Sequence, residues 1–240
     1  MNKKDKKAVY IHALNNYQSN NPWPCNDPWH SVTQNKLNTY VNRWLKKHSK
    51  SKQTILNAGS GNTQYITKSK IVYMDIIEEY IKNFEHYIVG SIDKIPLDDQ
   101  TIDTIICVGS ILNYADAQKS LDEFNRILKS GGTLILEFER SNSAEFLFTR
   151  NYAKTIFSKK YFYNNQTHIL WLYNEHFISE LLNYYDFKII TKYRFHCISS
   201  LLYRLGFSEE YSSKFSRFDS IIQSLSYPIA HNVIITARKI

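Results

Sequence analysis

The stretch Ile55-Leu56-Asn57-Ala58-Gly59-Ser60-Gly61-Asn62-Thr63 joins a short apolar run to a turn that contains two glycines. Glycine adopts positive φ readily and lets the backbone come close to a ligand. A buried strand followed by such a turn is typical of the first strand of an α/β domain, in which ligands lie at the carboxyl ends of the strands. No Gly-Lys-Ser/Thr follows at the spacing of a Walker phosphate-binding loop, so the sequence excludes that class.

Downstream of this turn, segments with strand character alternate with segments with helical character. Apolar runs predict strands at 54–57, 71–75, 87–89, 104–108 and 133–137, with a short helix after the first strand and another helix at 77–84. The clearest helix follows Asp116, a natural N-cap, and we expect Gly131-Gly132 to end it after Lys129. Its apolar stripe is Leu121, Phe124, Ile127 and Leu128. Strands joined by helices imply right-handed crossovers and therefore a mostly parallel sheet.

The two ends of the chain are expected to complete this sheet. Apolar residues at helical spacing predict a helix over 31–47 against one face, whereas residues 1 to about 10 are expected to fray. After Glu137 the pattern loosens into aromatic-rich segments, and a helix is predicted at 175–184. The last two strands are predicted at 187–193 and 232–238, with a helical insertion at 199–225 between them. We expect a single domain over 1–240, divided into a leading segment (1–50), a core (51–138) and a C-terminal elaboration (139–240).

The composition favours a cytoplasmic globular protein. The apolar share is 43%, and apolar runs such as 105–108 are too short to cross a bilayer, so we predict no transmembrane helix and no membrane partner. The basic start resembles a signal peptide, but His12, Asn15 and Asn16 interrupt the apolar stretch that a signal peptide needs. The three cysteines are widely spaced, so we expect neither a disulfide framework nor a metal site.

The net charge of +8 is concentrated at the start of the chain. Residues 1–54 hold ten of the 30 Lys and Arg residues but two of the 22 Asp and Glu residues, which leaves the rest balanced at 20 against 20. A basic segment can attract nucleic acid, acidic protein or an anionic membrane. The same pattern is also typical of a solvated tail followed by the polar face of a helix.

Further motifs follow the glycine turn in a fixed order. Asp75 ends the second predicted strand, where a carboxylate can accept hydrogen bonds from both hydroxyls of a ribose. Gly90-Ser91-Ile92-Asp93-Lys94-Ile95-Pro96-Leu97, Asp103 and Arg126-Ile127-Leu128-Lys129-Ser130-Gly131-Gly132 come next. With this series, residues 54–138 resemble the class I S-adenosylmethionine-dependent methyltransferases, particularly the type 11 branch with its G-D-x-x-x-L-P-F and R-x-L-K-P-G-G patterns.

The resemblance implies a fold and a cofactor. The expected fold is α/β and Rossmann-like: a doubly wound, mostly parallel seven-stranded sheet with helices on both faces, an N-terminal helical lid and a helical insertion before the last strand. The expected activity is methyl transfer from S-adenosyl-L-methionine, with S-adenosyl-L-homocysteine as the product. The resemblance is close in the core and extends to the ends of the chain only by architecture.

The resemblance also implies which residues hold the methionine and ribose parts of the cofactor. Gly59 and Gly61, with Ser60 between them, would line the methionine part, and Asp75 would hold the ribose. Asn57 stands where the family usually has Asp or Glu, which removes a negative charge near the ammonium and the sulfonium. Its amide oxygen can still accept a hydrogen bond, so we expect weaker binding rather than none.

The adenine and the rest of the methionine would meet residues from three other strands. Ile76 and Ile92 would sandwich the adenine, and Ser91 or Asp93 would meet its amino edge. The carbonyl of Val108 would face the methionine ammonium.

Two further departures from the family pattern concern the segment after the glycine turn. Thr63 stands where a third glycine is common. The span from Gly61 to Asp75 is about one helical turn shorter than expected. We therefore expect the first helix to be a stub and the edge of the cofactor to be more open.

The sequence identifies the catalytic residues less clearly than the cofactor-binding residues. Methyl transfer from a sulfonium depends mainly on positioning, and a general base is needed only for a poor nucleophile. The candidates are Tyr114, which follows the fourth strand where the type 11 branch often has His, and His30 in the leading segment. Tyr114 is equally compatible with a packing role, and a structural role is the more common one for a lone histidine such as His30. Tyr17, Trp23, Trp29 and His30 could together close over the cofactor as a lid.

The sequence restricts the methyl acceptor mainly by lacking the motifs of several methyltransferase classes. Residues 109–114 lack the Pro-Pro-Tyr/Phe motif of DNA amino-methyltransferases and the Pro-Cys nucleophile of cytosine C5 enzymes, and of the carboxylates that metal-assisted transfer needs only Asp116 is near. An aromatic-rich segment after the fifth strand predicts either a substrate-binding insertion or the packing of extra helices. Its members are Tyr161, Phe162, Tyr163, His168, Trp171, Tyr173 and His176.

Three functions follow as alternatives. The first is methyl transfer to an oxygen or nitrogen nucleophile of a small molecule. The second is methylation of RNA or protein, docked through the basic leading segment. The third is a non-catalytic, partner-binding subunit with the same fold. A monomer or a homodimer is compatible with each of them.

Overall fold

The structure, a computed structural model, describes residues 3–18, 27–163 and 166–240, without the side chains of residues 3–8, 18 and 163. Trp23, which the lid prediction includes, and Cys25 lie outside the described residues. The strands in chain order are β1 (Thr54–Ala58), β2 (Lys70–Asp75), β3 (Tyr87–Val89), β4 (Ile102–Cys107), β5 (Leu128–Glu139), β6 (Ile156–Tyr163), β7 (Gln166–Tyr173), β8 (Phe187–Phe195) and β9 (Asn232–Lys239). The helices are α1 (Lys3–Gln18), α2 (Pro28–His48), α3 (Glu78–Ile81), α4 (Ala117–Ile127), α5 (Glu175–Tyr184), α6 (Cys197–Arg204) and α7 (Glu209–Ser213).

A seven-stranded sheet in the order β3-β2-β1-β4-β5-β9-β8 forms the centre of the molecule. Strands β1 to β5 run parallel to their neighbours, and β9 is antiparallel to both β5 and β8. The strand order reverses between β1 and β4, which is where open α/β sheets form their ligand crevice. The mostly parallel, seven-stranded sheet predicted from the sequence is therefore confirmed.

Both faces of the sheet are covered. Successive residues of a strand point to opposite faces. Ile105 and Cys107 of β4 pack with residues of α4 and α5, whereas Ile106 packs with Leu37 and Val41 of α2. Helix α2 thus lies against the sheet as the helical spacing predicted, and its N-cap is Asp27.

Helix α4 begins as predicted but ends earlier. Its N-cap Asp116 accepts a hydrogen bond from the backbone of Gln118, whereas the helix stops at Ile127 rather than after Lys129. Leu128 already has extended backbone angles and pairs with Ile102 of β4. Parallel pairing therefore ends the helix, and Gly131-Gly132 lies inside the longer strand β5.

The start of the chain is more ordered than predicted, and two later helices are shorter. Helix α1 includes the residues expected to fray, because Val9 and Ala13 are buried against the domain. The described residues 59–69, between β1 and β2, contain no helix in place of the expected stub. Helix α3 covers four residues of the predicted 77–84 segment.

The aromatic-rich segment forms a β-hairpin instead of extra helices. Strands β6 and β7 pair antiparallel in a separate two-stranded sheet. Trp171 and Tyr173 of β7 are buried in the main core, and His176 is exposed at the start of α5. The helical insertion before the last strand is confirmed by α6, α7 and short 3-10 segments up to residue 225. None of the described helices has the length and apolar character needed to span a bilayer.

Candidate active site

The glycine turn after β1 is fastened to the end of β2. The backbone N–H groups of Gly59 and Ser60 both donate to the carbonyl of Met74, at 2.8 and 2.9 Å. Gly59 has φ +69°, and a Cβ at this position would lie 2.6 Å from side-chain carbons of Ile111. Glycine is therefore required at residue 59 both for backbone conformation and for space.

Asp75 joins this turn from the neighbouring strand. Its Oδ2 accepts a hydrogen bond from the N–H of Gly61 at 2.8 Å, and its Oδ1 accepts one from the N–H of Ile77 at 3.0 Å. Burial raises the pKa of the Asp75 carboxyl, and the backbone hydrogen bonds oppose part of that rise. A carboxylate has about four acceptor positions, so both oxygens retain capacity for a ligand.

One pocket brings the predicted cofactor residues together at the carboxyl ends of β1 to β4. The predicted residues in its wall are Asn57, Gly59, Ser60, Gly61, Asp75, Ile76, Ser91, Ile92 and Val108. Asp93, the alternative to Ser91, is not one of the lining residues, and it accepts a hydrogen bond from the Ser91 hydroxyl at 2.6 Å. We call the part of the pocket that is lined by these nine residues, from Asn57 to Val108, the turn lobe. The three groups on which the prediction depended, the glycine bend, Asp75 and Ile92, thus share one cavity.

Asn57 has a structural contact inside the turn lobe. The side chain is buried, and its Nδ2 donates to the carbonyl of Thr63 at 3.2 Å. The amide therefore ties the end of the glycine turn to β1. An Asp or Glu at this position would lack the N–H that makes this contact.

The end of β4 is held by Glu137, a residue that we did not predict. Its Oε2 accepts hydrogen bonds from the N–H groups of Gly109 and Ser110 at 2.9 and 2.7 Å, and its Oε1 accepts one from Asn232 at 2.7 Å. Ser110 has a left-handed φ of +59°, an uncommon conformation for a residue other than glycine. The buried carboxylate therefore stabilises the bend that follows Val108.

Both predicted catalytic residues line the same pocket. The hydroxyl of Tyr114 lies 3.0 Å from the Tyr17 hydroxyl and 3.4 Å from Nδ1 of His168. Nδ1 of His30 lies 2.7 Å from Oδ2 of Asp27, and this pairing outweighs burial and lowers the pKa of Asp27. Tyr17, Trp29 and His30 of the predicted lid line the pocket as well.

Several carboxylates line another part of the same pocket, which we call the acidic lobe. Its residues are Trp29, His30, Glu139, Glu145, Tyr161, Phe162, Tyr203, Glu209 and His231. They come from α2, the end of β5, the 3-10 segment Ala144–Phe146, the β6–β7 hairpin, the helical insertion and the residue before β9. Of the aromatic residues predicted to contact a substrate, Tyr161 and Phe162 are in this wall.

The acidic lobe is linked by hydrogen bonds. Oε1 of Glu139 accepts from the Ser110 hydroxyl at 3.0 Å, and its Oε2 lies 3.3 Å from Nε2 of His231. Nδ1 of His231 lies 3.0 Å from the Ser143 hydroxyl. Burial opposes the charge on both partners, but their mutual attraction outweighs it, so the pKa of Glu139 is lowered and the pKa of His231 is raised. The two side chains therefore form an ion pair in the wall.

Sequence reasoning missed Glu139 and His231 for a topological reason. His231 precedes β9, which pairs antiparallel with β5 so that Asn232 lies opposite Glu139. An antiparallel last strand begins at the same edge where the parallel strands end. The Glu137-Phe138-Glu139 pattern at the end of a predicted strand was the available signal, since residues two apart share a face.

Comparisons with known proteins agree with this architecture. A sequence profile of the family described as "Methyltransferase domain" matches residues 56–136. An uncharacterised protein of Methanocaldococcus jannaschii is 32% identical over 99 residues, which are 38% of this chain and 44% of that protein. The ubiquinone/menaquinone biosynthesis C-methyltransferase UbiE of Campylobacter jejuni is 32% identical over 75 residues, 31% of this chain and 32% of that protein. The chain thus spans less than half the length of these curated relatives.

Solved structures resemble the whole chain at low sequence identity. The 1,6-didemethyltoxoflavin-N1-methyltransferase of Burkholderia thailandensis has a TM-score of 0.60 at 12% identity, over 100% of this chain and 91% of that one. A putative S-adenosylmethionine-dependent methyltransferase of Listeria monocytogenes has a TM-score of 0.57 at 13% identity, over 84% and 99%. The [4+2]-cyclase SpnF has a TM-score of 0.57 at 13% identity, over 98% and 93%. Residues 56–136 therefore match the methyltransferase-domain profile, and the chain has the Rossmann-like fold of the S-adenosylmethionine-dependent methyltransferases among these solved structures.

Proposed function

We propose that this chain transfers the methyl group of S-adenosyl-L-methionine to an oxygen or nitrogen nucleophile of a small molecule. The observation that carries the proposal is the contact between Asp75 and the glycine turn. The carboxylate and the N–H of Gly61 meet at 2.8 Å in the wall of a pocket that continues into a second lobe.

The side chains of the turn lobe suit an adenosyl ligand. Asp75 keeps acceptor capacity for the ribose hydroxyls, and Ile76 and Ile92 offer apolar surfaces for the adenine. The glycine turn exposes backbone close to the place assigned to the methionine part. When bound, S-adenosylmethionine supplies a methyl group that the sulfonium has already activated.

In this proposal the chain's own residues orient the acceptor and exclude water. Tyr114 and His30 contact the acceptor, and helix α1 covers the pocket through Tyr10, Ala13 and Tyr17. Burial, followed by the charges of His30 and His12, lowers the pKa of His168 to about 4, so its ring is neutral beside the Tyr114 hydroxyl. A neutral imidazole nitrogen can accept the proton of that hydroxyl in a hydrogen bond and thereby fix its direction.

Calorimetric titration with S-adenosylhomocysteine tests the cofactor site. We expect the Asp75→Ala variant to bind at least about tenfold more weakly than the unaltered protein, because the ribose loses its acceptor. Asp75→Asn, which keeps one acceptor oxygen for the glycine turn, separates loss of the ligand contact from collapse of the turn. Asp98→Asn, at an exposed acidic residue, is the control and should bind normally. Absence of binding by the unaltered protein, or equal binding by Asp75→Ala, would refute the proposal.

A basic groove favours RNA methylation as a second candidate function. The groove lies on the other side of α2, beside β8 and β9, and its lining includes the aromatic side chains Tyr40, Trp44 and Tyr193. Its Lys and Arg residues are Lys36, Arg43, Lys47, Lys214, Arg217 and Arg238, and the described lining contains no Asp or Glu. Cations that contact phosphates beside aromatic rings that stack on bases are the usual elements of single-strand binding.

A further inference from the structure

We propose that the acidic lobe binds a cationic, amine-bearing aromatic small molecule, held by Glu139 and Glu209. This inference rests on the proposed function, since it names the class of acceptor that would occupy the space beside the cofactor. The proposed function names a small-molecule acceptor, and this inference specifies that the acceptor is positively charged.

The distribution of charge in the pocket is the first observation. The chain has 30 Lys and Arg residues and a net charge of +8. Nevertheless, the described lining of the whole pocket includes no Lys or Arg, whereas it includes Asp75 and three carboxylates of the acidic lobe. An anionic group on an acceptor would find several carboxylates in this lining and neither Lys nor Arg among its described residues. A cation would find opposite charge on several sides.

Glu139 places one of these charges next to the turn lobe. It lies at the end of β5, and its carboxylate accepts the hydroxyl hydrogen of Ser110, two residues after Val108. His231 and Ser110 fix its orientation, and its side chain keeps 17% of its surface exposed. The carboxylate is thus ionised, oriented and accessible close to the place assigned to the reacting part of the cofactor.

Glu209 supplies a carboxylate that has no ion-pair partner among the described side chains. Glu139 is paired with His231, and Glu145 is paired with Lys159. Among the described side chains, none of the cationic groups lies within ion-pair distance of Glu209, which is exposed and lines the pocket. Burial and the nearby charges of Asp27 and Glu145 raise the pKa of Glu209, and His30 and Lys159 oppose part of that rise. A positively charged ligand would relieve this repulsion.

Aromatic rings complete a surface suited to an organic cation. Trp29, Tyr161, Phe162 and Tyr203 line the same lobe as the carboxylates. The side chain of Lys159 already shows the preference of this wall, since its ammonium lies 4.2 Å from the centre of the Tyr161 ring and contacts Glu145. Aromatic faces attract ammonium groups and also pack against an apolar body. The lobe therefore matches an amine attached to an aromatic or apolar frame.

Three probes that share a phenylethyl frame and differ in charge test the inference. They are 2-phenylethylamine, 2-phenylethanol and 3-phenylpropionate, each titrated calorimetrically into protein saturated with S-adenosylhomocysteine. We expect the amine to bind at least about tenfold more tightly than the alcohol, and the propionate to bind most weakly. The Glu139→Gln and Glu209→Gln variants should each reduce the preference for the amine over the alcohol to about threefold or less. Glu210→Gln, at the exposed neighbour of Glu209, is the matched control and should keep the preference.

Two results would overturn the inference. One is a propionate that binds as tightly as the amine, or an amine that shows no binding up to about 10 mM. The other is an unchanged preference in the double variant Glu139→Gln, Glu209→Gln. Failure of the proposed function is read separately, from the titration with S-adenosylhomocysteine alone. If that titration shows no binding, the same three probes are titrated into the protein without S-adenosylhomocysteine.

Discussion

Glu137 is a single side chain whose ionisation is coupled to the shape of the pocket. It is fully buried, and its carboxylate holds the N–H groups of Gly109 and Ser110 while a third bond comes from Asn232. Burial raises its pKa to about 7, against the opposing effect of these hydrogen bonds. The group that shapes the end of β4 therefore titrates near neutral pH.

The stability of the protein should depend on pH through this residue. Because the pKa of Glu137 in the folded state lies above its ordinary value of 4.5, the folded protein binds more protons than the unfolded chain between about pH 4.5 and pH 7. Its stabilising contribution is complete below pH 4.5 and is lost as the pH rises through 7. We expect Glu137→Gln to reduce the fall in the free energy of unfolding across this range, by on the order of 3 kcal/mol at most.

Urea unfolding at intervals between about pH 4 and pH 8 measures this slope. Glu85→Gln serves as the control, because the Glu85 side chain is 88% exposed and should leave the slope unchanged. Equal slopes for Glu137→Gln and the unaltered protein would show that Glu137 does not titrate in this range.

Single residues were predictable where the chemistry is local in sequence. Asp75 and Gly61 are fourteen positions apart, but each ends or follows a recognisable strand, so their meeting at the sheet edge could be inferred. Glu139 and His231 are 92 positions apart and meet because β9 reverses direction. Glu139 has only its alternation with Glu137 as a signal in the sequence and His231 has none, so their pairing required the three-dimensional register.

Among the elements, those with a strong internal pattern were predicted and those stabilised by distant contacts were not. Helix α4 has a capping residue and an apolar stripe, and its start was predicted correctly. Helix α1 has a basic, polar sequence, and it is held by the burial of Val9 and Ala13 and by a hydrogen bond from Asn16 to the carbonyl of Thr167 in the hairpin. Such long-range contacts override local propensity.

Helix α1 should control access to the pocket. Val9 is 2% exposed and packs into the main core, whereas Ile11 on the same helix is 42% exposed. An Asp at position 9 would have to bury a charge, so we expect Val9→Asp to release the helix from the domain. We expect the affinity for S-adenosylhomocysteine to fall about tenfold, mainly through faster dissociation, because Tyr10, Ala13 and Tyr17 leave the pocket wall.

The dissociation rate is measured by stopped flow, as excess unlabelled S-adenosylhomocysteine displaces a labelled form of the same ligand. Ile11→Asp places the same charge on the exposed side of the same helix and is the matched control. Identical dissociation rates for the two variants would mean that α1 does not cover the ligand.

At the scale of the whole molecule, opposite charges are separated into two cavities. The pocket collects carboxylates, and the groove across α2 collects Lys and Arg. The basic character predicted for the leading segment is thus partly located in this groove, through Lys36, Arg43 and Lys47 of α2. The sequence showed the excess of charge but not that β8 and β9 would contribute the opposite side.

The RNA hypothesis predicts a strong dependence on salt. Binding of a single-stranded oligouridine should weaken at least about tenfold between about 50 and 200 mM salt, because docking would release counterions from several phosphates. The double variant Arg43→Glu, Arg238→Glu should abolish this binding and leave titration with S-adenosylhomocysteine unchanged. Fluorescence anisotropy of a labelled oligouridine measures both the salt dependence and the loss of binding in the double variant. Lys188→Glu, on β8 outside the groove, is the control. Binding that is indifferent to salt and to these substitutions would remove the second candidate function.

Helix α2 is a wall common to both cavities. Trp29, His30 and Thr33 face the pocket, while Tyr40 and Arg43 face the groove. A polyanion that displaced this helix would alter the affinity for the nucleoside ligand, and thermodynamic linkage requires the nucleoside ligand to alter the affinity for the polyanion by the same factor. Either titration, repeated with the opposite cavity saturated, would then yield the coupling free energy between the two faces of one helix.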